Sequence, residues 1–401
     1  MLKKTITMKN KIFITIVFLF IFCGHSIGQG TWTQKADFGG LPRENAVGFS
    51  IGTKGYILTG DEYCYKDLWE WDQAINTWAQ KANLPSKGRI GAVGFSIGTK
   101  GYIVAGRDSS GTFLKDFWEW DQTTNTWTQK ADFGGAARAY AVGFSIGTKG
   151  YVGSGQGNQP RYRDFWEWNQ ANDTWTQKAN FGGAGRQYPV GFSIGAKGYF
   201  GTGIDSLSHM KNDFWEYDTT NNTWTQKANY GGLPASAVGF SIGNKGYIGT
   251  GVSNLNQFWE YNQENNTWTQ KANFGGIGRM GAVGFSIGNK GYIGTGDDGI
   301  NDYQDFWEYN PDGLEINENS INTPISIFPN PFSSVTILKL SNNLKNATLT
   351  IYNSFGQQVK QIVSISGQKI TLNRDKLSSG LYFLQITQDN KITIKEKIII
   401  D

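Results

Sequence analysis

The sequence predicts an all-β chain: a six-bladed β-propeller closed by its N-terminal strand, followed by a small Ig-like β-sandwich. Three observations carry this. One motif set recurs six times, its tryptophans at Trp32, Trp78, Trp127, Trp175, Trp224 and Trp268. The composition is rich in glycine (53 of 401) and aromatics (14%) but poor in charge (17%), the profile of packed β-structure and not of a disordered chain. The order of the motifs leaves one strand over at the N-terminus and one missing at the end.

Each repeat reads as four short aromatic and β-branched runs bounded by Gly, Asn and Asp, the signature of strands. In the second repeat these are Ala92 to Ile97, Tyr102 to Ala105, Phe117 to Asp121 and Thr126 to Lys130, strands a to d. A period in the upper forties with four strands is that of a propeller blade. The chain opens its repeats with a lone strand d, Thr31 to Lys35, and closes them with a, b and c over Ala282 to Asn310. The first strand therefore completes the sixth blade, and ring closure leaves no sheet edge open.

Ahead of the ring, Lys3, Lys4, Lys9 and Lys11 precede an apolar run from Ile12 to Phe22. That run is too short to span a membrane and fits a signal-peptide core. Residues 1–28 are read as a signal peptide cleaved before Gln29, with Ile27 as the fallback, and the mature chain as having no transmembrane anchor. Removing the four lysines reduces the formal charge of +4 to zero, which gives no footing for a nucleic-acid partner. The mature chain keeps one histidine, His209, and one cysteine, Cys64. An intramolecular disulfide is thereby excluded, and no cofactor is expected.

Residues 29–313 form the propeller, and within it the repeats resemble the kelch family. The resemblance rests on an Arg before strand a, Gly-Tyr-Ile in strand b, Phe-Trp-Glu-Trp/Tyr-Asp in strand c, and Asn-Thr-Trp. One departure is the pair after strand b, usually Gly-Gly in kelch repeats and here Thr59-Gly60, Ala105-Gly106, Ser154-Gly155, Thr202-Gly203, Thr250-Gly251 and Thr295-Gly296. Kelch propellers include copper oxidases, but a site needing two histidines cannot be built around His209 alone. Enzymes of epimerase or lyase type remain an alternative, because Arg and Glu can serve them.

The a–b turns are nearly identical, whereas the b–c loops vary in length and chemistry, and recognition sits on variable loops over a rigid scaffold. The face formed by the d–a and b–c loops is therefore the expected functional face. It carries Arg43, Arg89, Arg138, Arg186 and Arg279 before strand a, with Arg107, Arg161 and Arg163 in b–c loops. Arginine suits bidentate capture of carboxylate or phosphate, and the resemblance implies that arginines at this point bind acidic peptides. These eight are the candidate ligand-binding residues, set against a structural role in which each pairs with carbonyls or acids between blades. Glu70, Glu119, Glu167, Glu216, Glu260 and Glu308 recur in every blade and read as structural. Asp297, Asp298, Asn301 and Asp302 form a weak calcium candidate that falls short of a full oxygen-ligand loop. No catalytic residue is assigned.

Residues 314–323 are a polar linker, and seven short strands are read beyond it: Ile325 to Phe328, Val335 to Leu340, Ala347 to Tyr352, Gln358 to Ile365, Lys369 to Leu372, Leu381 to Thr387 and Ile392 to Ile399. The stretch 324–401 contains Ile327-Phe-Pro-Asn-Pro-Phe332, Ile351-Tyr-Asn353, Leu377-Ser-Ser-Gly-Leu-Tyr-Phe383 and a terminal Lys395-Glu-Lys-Ile-Ile399. It resembles the type A C-terminal sorting domain of the type IX secretion system of Bacteroidota. The resemblance implies the secretion machinery as partner of residues 324–401, and a secreted or outer-membrane-surface location reached through a Sec signal peptide. The expected function is a non-catalytic binding module for a glycan, an acidic peptide or a surface protein.

Overall fold

The computed structural model describes residues 30–158, 161–232, 235–252, 256–311, 325–353, 358–388 and 391–401. The predicted signal peptide and linker lie outside these residues.

Six four-stranded antiparallel sheets form the ring. Strands a are Val47–Ile51, Val93–Ile97, Val142–Ile146, Val190–Ile194, Val238–Ile242 and Val283–Ile287. Each packs beside the strand a of the next blade, and the last packs beside the first, so these six line the axis. The second blade continues through b (Lys100–Val104), c (Phe117–Asp121) and d (Thr126–Lys130). In the sixth blade the sheet runs Thr31–Gln34, Phe306–Asn310, Lys290–Gly294, Val283–Ile287, with Trp32 opposite Tyr309. The N-terminal strand thus closes the ring as the motif order predicts.

Blades join through aromatic and glycine contacts that recur at every seam. The second aromatic of strand c is fully buried and packs on the strand b tyrosine of the preceding blade, as Trp120 does on Tyr56 with ring centroids 5.0 Å apart. Strand a can approach its neighbour because its second residue is glycine. A Cβ on Gly94 would lie 2.0 Å from Cγ1 of Val47, so no larger residue fits that seam. The repeated glutamates are structural, as expected. Tyr102 donates to Glu119 at 2.9 Å, and Gln170 of the next blade donates to the same phenol at 2.7 Å.

Among the described residues the C-terminal region has five strands where the sequence suggests seven. Val335–Asn353 runs without interruption through two expected strands, and Gln358–Asn373 through two more. Register shifts between Lys339 and Leu344 and between Leu344 and Ala347 bend the pair, so the ladder continues where the polar residues suggested a break. Leu338, Leu349, Ile351, Leu372, Leu384, Ile386 and Ile398 form its core. Asn330 of the Phe-Pro-Asn-Pro motif ties down the last strand, donating to the Lys397 carbonyl at 3.1 Å and accepting from Ile399 N–H at 2.7 Å.

Candidate functional site

The five arginines before strand a do not reach the mouth of the ring. Arg43, Arg89, Arg138, Arg186 and Arg279 are all within 1% of complete burial. Each forms a fork on the aspartate one residue ahead of strand c: Asp67, Asp116, Asp164, Asp213 and Asp305. In the third blade Arg138 reaches the two carboxylate oxygens of Asp164 at 2.6 and 2.7 Å, the Ser154 carbonyl at 2.8 Å and the Ala136 carbonyl at 2.9 Å. Its guanidinium also lies over the rings of Phe133 and Tyr162. The ligand-binding expectation for these five is corrected: their side chains are spent inside their own blade. The link between blades is made by the backbone instead, the carbonyl of Arg138 accepting from Gly106 N–H at 2.8 Å.

The same clasp engages the residue that departs from Gly-Gly. The residue after strand b has a left-handed backbone in every blade, with φ from 58° at Thr295 to 65° at Ala105, a conformation that glycine adopts without cost. Non-glycine residues hold it here, and in five blades the carbonyl of that residue accepts from the arginine. The fifth blade has Pro234 where the arginine stands and Gln257 where the aspartate stands. There the Trp259 indole donates to Gln257 at 3.3 Å; in the other blades the indole donates to the aspartate.

The axial mouth is instead built by the residue two beyond the arginine position. Asn45, Gly91, Tyr140, Tyr188, Ser236 and Gly281 all have φ between 48° and 63°. Their backbones bond around the axis: Gly91 N–H to Asn45, Tyr140 to Gly91, Tyr188 to Tyr140, Gly281 to Ser236, and Asn45 to Gly281, at 2.7 to 3.1 Å. Together with the next residue of each blade they line a funnel of about 150 Å³. One backbone geometry thus presents an amide, two phenols and a hydroxyl from four blades and glycine from the other two. Tyr140 and Tyr188 pack at a tilt, their ring centroids 4.4 Å apart and their planes 39° from parallel, and burial raises both phenol pKa values. Arg107 pairs through its backbone with Ile90 at 3.0 Å, beside the Gly91 that packs against Tyr140, and its charge opposes that rise.

On the side of blades one and six the mouth is acidic. Glu44 lies against Gly281, whose Cβ would be 3.2 Å from Oε2 of Glu44. Asp297 pairs through its backbone with Met280 at 2.8 and 2.9 Å, next to the Gly281 against which Glu44 packs. Burial, then the charge and hydrogen bond of Asp297, push Glu44 up to about 8, with Asp302 and Glu62 adding to the rise. Burial also raises Asp302, followed by Asp61, Asp297 and Glu62.

Arg107 is half-buried, and its Nε has no hydrogen-bond partner within the protein. Arg161 is half-buried with Nη1 likewise unpaired, and Arg163 is exposed; both belong to the b–c loop of blade three, away from the residues that line the funnel. The calcium candidate does not assemble. One oxygen of Asp298 caps the N–H groups of Ile300 and Asn301 and the other accepts from Tyr303, while Asp297 accepts from Gly299 N–H. No cluster of three or more His, Cys, Asp or Glu suited to a metal occurs among the described residues. His209 is an exposed loop residue 3.5 Å from Asp205. Cys64 is buried, its thiol toward the Arg107 carbonyl.

Sequence reasoning missed the axial ring. The signal was there: within an otherwise repeated segment, the position two before strand a reads Asn, Gly, Tyr, Tyr, Ser, Gly. The aspartate partners were also legible, since Asp precedes strand c wherever Arg precedes strand a and both are absent from blade five.

Comparison with known proteins agrees with this architecture. Residues 326–401 match the secretion system C-terminal sorting domain, and residues 89–134 match the kelch motif. A solved structure described as "Structure of YjhT" is similar with a TM-score of 0.58 and 15% identity, covering 67% of this chain and 95% of that one. At that identity the likeness concerns the fold alone. No curated protein matches the chain.

Proposed function

We propose that this kelch propeller, carried outward by its type IX sorting domain, is a non-catalytic module that binds the end of a neutral glycan in the axial funnel. The observation that carries the reading is the axial ring, where a constant left-handed backbone displays Asn45, Tyr140, Tyr188 and Ser236 at one mouth. Left-handed non-glycine residues cost about 1–3 kcal/mol each and gather where function requires them. A tyrosine pair beside amide and hydroxyl groups offers an apolar face and hydrogen bonds together, which suits a polyhydroxylated ring. Small-molecule pockets commonly run from about 300 Å³ upward, so this funnel suits a terminal group and not a long chain.

The acidic-peptide alternative loses its support, because the five arginines are neutralised within their blades and carboxylates flank the mouth. Arg107 stays a candidate contact because it retains an unpaired Nε near the tyrosines. Arg161 and Arg163 are candidates for the rim only. Exposed apolar side chains support the choice of face. Leu41, Tyr63, Leu207, Ile277 and Ile300 are exposed on the d–a and b–c loops, against Ile75 on the opposite face. Surface protein recognition on this rim is the other ligand class compatible with them.

One observation favours the enzyme reading. Glu44, Asp297 and the tyrosine pair are blade-specific, and an acid pushed to about 8 in a cleft is suited to proton transfer. A glycan array probed with the full chain, wild type and Tyr140→Ala, tests the binding reading. Binding lost in Tyr140→Ala but kept in Arg163→Ala supports it. Turnover of an array hit, followed by NMR for epimerised or eliminated product, would replace it with the enzyme reading.

A further inference from the structure

Independently of any ligand, we propose that Glu44 stays protonated and donates a hydrogen bond to Asp297 across the seam where blade one meets blade six, so that the closing seam weakens as that proton is lost.

The seam is the one at which the chain returns to itself. Asn45 donates to Gly281 across it at 2.7 Å, and Gly296 donates to the Arg43 carbonyl at 2.8 Å. Glu44 occupies the space that Gly281 leaves open, and the Met280–Asp297 bridge sets Asp297 alongside. Asn45 Nδ2 supplies a donor to Oε2 of Glu44 at 2.8 Å, but Oδ1 of Asp297 is buried without any donor from the protein. Ionised carboxylates only accept hydrogen bonds, so two of them in contact require a proton on one. The charged groups facing the pair are Asp302, Glu62 and, through Asp302, Asp61; Tyr140 and Tyr188 face it from across the funnel. Among the described residues no lysine or arginine forms an ion pair with Glu44, Asp61, Glu62, Asp297 or Asp302. The equivalents of Glu44 in the other blades are Ile90, Ala139, Gln187, Ala235 and Met280, so only this seam carries the device.

The sign of the effect follows from linkage. The folded chain holds a proton on Glu44 that the unfolded chain releases above the ordinary carboxylate range, so stability falls with rising pH through that interval and levels off above about 8. The test uses the full chain, with tryptophan fluorescence as readout, because all fifteen tryptophans lie in the propeller. Thermal unfolding of wild type should shift downward between pH 6 and pH 9, by roughly 5 °C or more if the pair contributes a few kcal/mol. The shift should be much smaller in Glu44→Gln, with Asp297→Asn behaving alike. The infrared C=O band of a protonated carboxyl, present in the wild type at pH 7, should be missing in Glu44→Gln. Equal pH slopes in all three proteins, no protonated-carboxyl band, or a rise in the wild-type midpoint on adding calcium chloride would overturn the proposal. The last result would mean that a cation, not a proton, bridges the pair.

Discussion

Arg138 and Asp164 meet as a planar fork, two hydrogen bonds of 2.6 and 2.7 Å, with the arginine wholly buried and the aspartate about one-fifth exposed. The pair joins the approach to strand a with the entry to strand c and holds the left-handed Ser154 carbonyl between them.

Removing one partner of such a pair strands the other charge. Arg138→Ala should therefore cost about 3–5 kcal/mol. Asp164→Ala should cost a similar amount, because it leaves a buried guanidinium. In a double-mutant cycle read by urea unfolding, the double variant should be destabilised by much less than the sum of the two. Additivity would show that the fork is not a coupled unit.

The clasp also sets the acid limit of the ring. Burial opposes the charged form of Asp116, but the hydrogen bonds and charge of Arg89 outweigh it, aided by Ser86 and Trp118, and hold Asp116 below the usual aspartate range. Asp67 and Asp213 are lowered in the same way by Arg43 and Arg186. A depressed carboxylate contributes stability above its unfolded pKa and loses it as pH falls through the folded one. Tryptophan fluorescence should show stability lost below about pH 4, and Asp116→Asn should flatten part of that loss. An unchanged acid slope in Asp116→Asn would count against the clasp as its source.

Blade count, strand order and ring closure were legible in the sequence because each rests on a pattern repeated six times. The fate of Arg43, Arg89, Arg138, Arg186 and Arg279 was not. An arginine near a predicted mouth reads the same whether it faces a ligand or a neighbour, and the difference lies in Asp67, Asp116, Asp164, Asp213 and Asp305, which are 24 to 27 residues away. The axial residues escaped for the opposite reason. They share no single residue type, and only the backbone, left-handed at Asn45, Tyr140, Tyr188 and Ser236 alike, reveals that they are one ring. In the sorting domain, bulges carried Val335–Asn353 through a polar stretch that local pattern assigns to a turn.

The seams are intolerant of a single methyl group. Gly94→Ala would place Cβ 2.0 Å from Val47 Cγ1, and overpacking of this kind costs about 1–3 kcal/mol. Gly111→Ala is the contrast: no atom lies within 4 Å of its Cβ position, and only its left-handed backbone, φ 83°, should cost about 1 kcal/mol. Matched thermal melts should rank Gly94→Ala well below Gly111→Ala. The reverse order would show that the blades separate readily.

Closure depends on a four-residue strand. Trp32 makes edge contacts with Phe258 and Phe274, 5.0 and 5.1 Å between centroids, and its indole donates to the Ala272 carbonyl at 3.2 Å. Trp32→Ala should cost about 3–5 kcal/mol. It should also raise hydrogen exchange first in Phe306–Asn310, the strand it covers. Uniform exchange across all six blades would mean that the N-terminal strand is not the latch.

The most direct measurement is the affinity of a glycan-array hit for Tyr188→Ala beside wild type and Arg163→Ala, each first shown to be folded by its tryptophan spectrum. With recognition at the axial ring, Tyr188→Ala weakens binding at least tenfold, about 1.4 kcal/mol, and Arg163→Ala leaves it near the wild-type value. Unchanged binding in Tyr188→Ala, with loss in Arg163→Ala, would contradict the axial site and return recognition to the b–c loops.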